Sequence, residues 1–215
     1  MRPFFIFWLK KSSDLLWRGK RITAQLFQKN VKTPIGTVAV IWSDGSGPPK
    51  IVEILIPKPE SETENPLGAI SREIRPRLFT RRSCAEIDGL ADRVRASLAG
   101  QMIQFSTDDL DMFRLDTCAP FQRQVLRTVF AIPRGRVSSY SRIAASVNRP
   151  GAARAVGTAM ATNPFPIVIP CHRVIQSSGR IGEFGGGRPM KKTLLEIEGV
   201  PFQTESRVAK AAFWG

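Results

Sequence analysis

Histidine and tyrosine each occur once in this chain of 215 residues, and acidic side chains are scarce beside basic ones. The three cysteines, Cys84, Cys118 and Cys171, stand far apart and form no CxxC pair. Odd, scattered thiols argue against a disulfide framework and for a reducing compartment. With a single imidazole available, a zinc site would need carboxylates to complete it, and no metal is expected. Long apolar runs are missing too. Phe4 to Leu9 gives six apolar residues, too few for a bilayer span or an ordinary signal core. No small-residue cleavage site follows, and no membrane partner is expected.

What is abundant is positive charge. The chain has 32 Lys+Arg against 18 Asp+Glu, a net +14 with a pI near 10.7. Between Thr117 and Gly215 there are 14 basic and four acidic residues, so most of the excess lies in the second half. That balance favours a polyanionic partner such as nucleic acid, although a solvated basic face produces the same numbers.

The only histidine directly follows a cysteine, in Pro170-Cys171-His172-Arg173. A thiol needs help to ionise at neutral pH, and imidazole is the base best matched to the task. The flanking text, Asn163-Pro164-Phe165-Pro166 and Ile167-Val168-Ile169-Pro170, is apolar and proline-rich. It predicts a buried, extended approach to a sharp turn. A buried thiol alone is inert, so a third group that orients the imidazole is required. Glu196 and Glu198, in Leu194-Leu195-Glu196-Ile197-Glu198-Gly199, both qualify, and the sequence does not choose between them.

Along the chain, Thr37–Trp42 and Ile51–Ile56 predict a β-hairpin around the turn cluster Ser43–Pro49, with Pro57–Pro66 as a loop. Cys84–Leu98 has one apolar face at helical spacing and ends at Gly100. Gln101–Phe105 is a candidate third strand, and Ser106–Asp116 reads as an acidic linker. Phe121–Phe130 predicts a helix stopped by Ile132-Pro133-Arg134-Gly135. Ser139 is placed to cap a helix through Ile143 and Val147. Asn148-Arg149-Pro150-Gly151 is a turn, and Ala152–Ala161 an alanine-rich helix. Helix, short turn and small-residue helix is the outline of a helix-turn-helix. An ordinary helical hairpin fits the pattern equally, and the local charge favours DNA. The glycines at 179, 182 and 185–187 frame Phe184 either as a mobile lid or as a plain connector.

These pieces resemble, in order and spacing, the O6-alkylguanine-DNA alkyltransferases (methylated-DNA–protein-cysteine methyltransferases). The matching segments are Phe121-Gln122, Ile132-Pro133-Arg134-Gly135, Ser139-Tyr140, Ala153-Arg154-Ala155-Val156-Gly157, Asn163-Pro164, Pro170-Cys171-His172-Arg173-Val174, Phe184-Gly185-Gly186-Gly187 and Leu194-Leu195-Glu196-Ile197-Glu198-Gly199. The first half is similar only in its Thr33-Pro34-Ile35-Gly36 strand start and general layout.

The resemblance implies an α/β N-terminal domain (a small antiparallel sheet plus helices) joined to a mainly helical C-terminal domain with a helix-turn-helix. The expected divisions are 1–30 as an extension, 31–110 as the α/β domain, 116–200 as the DNA-binding alkyltransferase domain and 201–215 as a tail. It implies irreversible transfer of an alkyl group from O6 of guanine in double-stranded DNA to Cys171. His172 takes the thiol proton through a water, Glu198 holds the imidazole, Asn163 braces the turn, and Tyr140 donates to the leaving guanine. The base is extruded from the duplex. Arg154 fills the gap while its helix lies in the minor groove. Ser139, Ala153, Gly157 and Arg173 are also expected at the DNA. Tyr140, Val174, Phe184, Gly185, Gly186 and Lys191 are expected around the base. No cofactor is implied, and the protein is expected to act as a monomer, cytoplasmic in a bacterium or archaeon and nuclear in a eukaryote. Leu126, Glu183, Phe184 and Thr193 depart from residues common in the family. The competing reading is a DNA-binding damage sensor or regulator that transfers nothing.

Overall fold

The computed structural model describes residues 15–17, 20–22, 25–44, 47–57 and 84–214. The apolar run Phe4–Leu9, part of the first turn cluster and most of the loop after Pro57 lie outside the described residues. Two short strands, β1 (Leu15–Trp17) and β2 (Lys20–Ile22), pair antiparallel. The main sheet is antiparallel in the order β3 (Leu26–Thr33), β4 (Gly36–Ser43) and β5 (Lys50–Leu55). The expected hairpin is therefore β4–β5. The third strand is β3 and not Gln101–Phe105, which forms no strand. β3 begins inside the stretch assigned to the N-terminal extension, because Phe27 and Val31 are buried in the sheet. Phe27 sits opposite Trp42 and stacks on it at 4.4 Å, a cross-strand pair that fixes the register. The two-residue β3–β4 turn requires a glycine at 36. Its φ is +103°, and a Cβ there would meet Pro57 at 2.9 Å.

α1 (Ala85–Leu98) packs on β3 through Ile87, Leu90, Ala91, Val94 and Leu98. Each buried Leu, Ile or Val contributes roughly 1.5–3 kcal/mol. That outweighs the roughly 1 kcal/mol cost of Gly89 within the helix. The expected linker is folded: Asp108–Met112 and Leu115–Thr117 are 3₁₀ turns. Apolar residues at 110, 113 and 115 give the segment its own buried side. Arg93 grips Asp109 through both carboxylate oxygens, and Arg114 N–H donates to Ile51 C=O at the sheet edge.

α2 (Pro120–Phe130) starts on a proline, which is pre-set for a first helical position. The two-residue strand β6 (Ser138–Ser139) leads into α3 (Tyr140–Ser146), and α4 (Ala153–Ala161) packs against both α2 and α3. β7 (Val174–Ile175) pairs parallel with β6, Ser138 opposite Val174, which brings the start of α3 beside the segment after Cys171. α5 (Gly187–Ile197) follows, then the hairpin β8 (Phe202–Thr204) and β9 (Arg207–Val208). Residues 201–214 do not hang free. Val208 and Ala212 are buried with Val137, Ile175 and Leu195, and Trp214 N–H donates to Val137 C=O.

One apolar cluster runs from the sheet and α1 through α2 and α4 to Cys171. The sheet touches the reactive segment directly: Ile54 N–H donates to Pro164 C=O at 2.8 Å, and Phe113 meets the Phe165 ring edge-on at 5.1 Å. Among the described residues no helix is long and apolar enough to cross a membrane.

Candidate active site

The segment before Cys171 is buried as expected, but it is a tight turn and not extended backbone. Asn163 explains this. Its side chain donates to Ile169 C=O and accepts from Phe165 N–H, both at 3.0 Å, which folds residues 163–169 back on themselves. Ile167 is held at φ +74°, a strained position for a β-branched residue. Cys171–Arg173 then forms a single 3₁₀ turn.

Cys171 is 6% exposed. Burial pushes its thiol up, while the Asn163 amide, the Lys191 ammonium and nearby backbone N–H groups pull in the other direction. His172 is 1% exposed, with Nε2 2.9 Å from Glu198 Oε1. Burial pushes the imidazole pKa down, against the pull of Glu198. Burial would raise the Glu198 carboxyl, but His172 and Arg173 outweigh it and hold it far below the usual range. The carboxylate therefore accepts only, so Nε2 must carry the proton. Nδ1, which is buried and meets no protein partner among the described residues, is left as the basic nitrogen.

The choice between the two glutamates is resolved by geometry. Glu196 is exposed and lies 3.7 Å from Lys192, whereas Glu198 caps the end of α5 and points into the site. Arg173 was expected at DNA and is instead turned inward. Nε and Nη2 donate to the two Glu198 oxygens at 2.8 and 2.7 Å, and Nη1 donates to Ile132 C=O at 2.6 Å. A guanidinium matches a carboxylate in this two-pronged way, which leaves it little to offer a phosphate. Ser139 is likewise not at a free surface: it is 2% exposed, and its hydroxyl accepts from Arg142 N–H as the cap of α3.

Lys191 lies on the buried side of α5 with Leu194 and Leu195. Its ammonium donates to Val174 C=O at 2.7 Å and Glu183 C=O at 3.3 Å. Burial lowers its pKa to about 8, while Cys171 and Glu183 oppose the shift. Nζ also stands 5.9 Å from the centre of the Tyr140 ring. Tyr140 is raised by burial, then by Cys171 and Glu183. Its hydroxyl faces Gly182, where a Cβ would stand 3.7 Å away. The Phe184 ring sits edge-on to His172 at 6.4 Å. Gly185 is open to solvent, and Gly186 lies under Met190. Glu183 pairs with Arg188 at the surface. Arg154 is exposed in the first turn of α4, with Ala153 beside it and Gly157 one turn on.

Sequence reasoning missed Arg173 and Arg134 as partners of Glu198. A cation directly after the Cys-His pair was a usable signal for Arg173. Nothing local marked Arg134, because its partners come from residues 97, 197 and 198.

Residues 120–200 match the profile of the 6-O-methylguanine DNA methyltransferase DNA-binding domain. The methylated-DNA–protein-cysteine methyltransferase of Methanothermobacter thermautotrophicus is 36% identical over 170 residues, which cover 79% of this chain and 84% of that one. The chain belongs to the methylated-DNA–protein-cysteine methyltransferase family. The Shigella flexneri methyltransferase is 35% identical over 178 residues, covering 81% of this chain and 96% of its own. Among solved structures, the Mycobacterium tuberculosis O6-methylguanine methyltransferase aligns with a TM-score of 0.61 at 30% identity, over 80% of this chain and 92% of that one. The same organism's OGT in complex with DNA gives 0.60 at 30% identity, over the same shares. In this methyltransferase, then, the small antiparallel sheet with its helices is the arrangement its relatives share.

Proposed function

We propose that this protein repairs DNA by moving the methyl, or a larger alkyl, group from O6 of guanine onto Cys171, once per molecule. The observation that carries this reading is the buried set Cys171, His172, Arg173 and Glu198: the first three share one 3₁₀ turn just after the turn braced by Asn163, and Glu198 reaches His172 and Arg173 from the end of α5. Cys171 sulfur forms the new S–C bond as the C–O6 bond breaks. The thiol proton passes to His172 Nδ1, the nitrogen left basic by the Nε2–Glu198 bond, through one water. Guanine leaves neutral, taking a proton from the Tyr140 hydroxyl. This leaves an imidazolium at His172 and a phenolate at Tyr140, and the two neutralise each other through solvent once guanine has left, so the proton lost at sulfur equals the one gained by the base. Lys191 opposes the developing thiolate charge from its place near Cys171. A thioether has no leaving group to offer, so the product is final.

The target carbon lies inside the base stack, so the nucleotide must leave the duplex. We read α3 and α4, with the turn between them, as a helix-turn-helix in the second of two domains. Alanines 153, 155 and 159 and Gly157 make α4 slim, and Arg154 at its start is free to enter the stack. Val174, Phe184, Gly185 and Lys191 form the surroundings of the base.

Incubation with duplex DNA carrying O6-methylguanine labelled in its methyl group tests the reading. Label should appear on the protein and map to Cys171, with none on a folded Cys171→Ala variant. A folded wild-type protein that binds the duplex and stays unlabelled would instead be a damage sensor.

A further inference from the structure

The turn Ile132–Gly135, which in sequence only ends α2, meets Glu198 at two points and its partner Arg173 at a third. Ile132 C=O accepts from Arg173, the partner of Glu198. Gly135, at φ +74°, lies so close that a Cβ would stand 3.2 Å from Glu198 C=O. Arg134 makes the third contact. Its Nη1 is 3.8 Å from Glu198 Oε1, and both side chains are under 10% exposed. The same guanidinium donates to Ser97 Oγ at 3.2 Å, Ser97 C=O at 3.3 Å and Ile197 C=O at 3.0 Å. Ser97 is in the last turn of α1 and Ile197 ends α5. One planar fork therefore caps two helix C-termini at once, where carbonyls lack internal partners. One of those helices packs on the sheet, and the other carries the carboxylate that holds His172.

We propose that Arg134 is a positioning residue for methyl transfer, fixing Glu198 on His172 and tying that pair to the end of α1. It touches neither base nor sulfur. The proposal rests on the alkyl-transfer reading above. Arg134 has a geometric and an electrostatic effect, and they are separable. The charged or titratable groups around His172 are Cys171 and Arg173 on its own turn, Lys191 and Glu198 from α5 and its end, and Arg134 behind Glu198. Arg173 and Lys191 disfavour the imidazolium, and Arg134, 3.8 Å from Glu198 Oε1, offsets part of the opposite pull of that carboxylate. The fork geometry of Arg134 is what lysine cannot reproduce, since an ammonium is a point charge.

The test is single-turnover transfer of labelled methyl from an O6-methylguanine duplex, measured from about pH 5 to about pH 9 so that the acid limb is seen. Full-length wild type, Arg134→Lys and Arg134→Met are compared, with duplex affinity measured on each. Arg134→Lys should keep the acid limb in place and lower the plateau rate about tenfold. Arg134→Met should lose at least as much and move the acid limb to higher pH, because the cation that offsets the Glu198 charge is gone. Duplex affinity should change less than about twofold in both, since the Arg134 side chain is under 10% exposed and its partners lie in α1 and at the end of α5. A folded Arg134→Lys with the wild-type plateau overturns the proposal, as does a rate loss matched by lost duplex affinity. If Arg134→Met does not fold, Arg134→Lys decides alone. A wild-type protein that takes no label overturns the methyl-transfer reading instead.

Discussion

Glu198 Oε1 accepts from His172 Nε2 at 2.9 Å, and both side chains are almost fully buried. The bond sets which imidazole nitrogen is basic. In Glu198→Gln the replacement carries an N–H that can face the ring, so the tautomer is no longer fixed. The methyl-transfer rate should fall at least about a hundredfold, within the range a positioned base contributes. The change also leaves Arg173 facing a neutral amide. Breaking a buried pair from one side costs about 3–5 kcal/mol, so urea unfolding should show a clear drop in midpoint. A variant with wild-type stability and wild-type rate would mean that Glu198 is only a helix cap.

The pH dependence of stability separates Glu198 from Lys191. The folded-state carboxyl of Glu198 sits far below its ordinary 4.5. Its stabilisation is therefore complete above that value and is lost as pH falls below it, where the unfolded chain takes up a proton first. For Lys191 the sign is reversed. Its amine is lowered from 10.5 to about 8, so between those values the unfolded chain binds more protons than the folded one. Burial of the charge costs stability in full below pH 8, and the cost is relieved as pH rises towards 10.5. Wild type should gain stability relative to Lys191→Met across that alkaline window, measured by denaturant unfolding at each pH. Parallel curves would place Lys191 in a wetter site than the structure gives it.

How much of this was legible in sequence depends on how local each feature is. The helix faces of α1 and α2 and the Ser139 cap are written in adjacent residues, and the structure has them as expected; the Cys171–His172 pair is equally local. The segment 163–170 was misjudged because prolines and branched apolar residues signal extension, whereas a side chain four residues before the run, that of Asn163, bends it through two hydrogen bonds. Residues 101–105 look strand-like, but the vacant sheet edge is taken by Phe113 and Arg114 beside Ile51. Arg173 is expected at the DNA from the family resemblance, whereas its guanidinium turns inward onto Glu198. The carboxylate that claims it is 25 residues away in sequence, and no local pattern records such a pairing.

Asn163→Ala isolates the turn from the chemistry. The substitution removes the acceptor for Phe165 N–H and the donor for Ile169 C=O, both buried. Each unsatisfied group costs about 1–3 kcal/mol, so a loss of roughly 2–6 kcal/mol is expected in denaturant unfolding. Cys171 also loses a hydrogen bond that favours its thiolate. Alkylation of Cys171 by iodoacetamide should therefore require higher pH in the variant than in wild type. A destabilised variant with an unchanged pH profile of alkylation would confine Asn163 to a structural role.

Arg154→Ala asks whether α4 does more than bind. Arg154 is exposed at the start of a helix lined by small residues, and it takes no part in the Cys171–Glu198 network. If it fills the space vacated by an extruded guanine, its removal should slow methyl transfer from duplex DNA about tenfold or more, since unstacking costs a few kcal/mol that the wedge offsets. Transfer from free O6-methylguanine or its nucleoside, which needs no extrusion, should be unchanged. The salt dependence of duplex binding should also become shallower by less than about one counterion, the slope that a single phosphate contact contributes. Equal losses on duplex and free base would place Arg154 in the reaction site, and a loss confined to affinity would make it an ordinary phosphate contact.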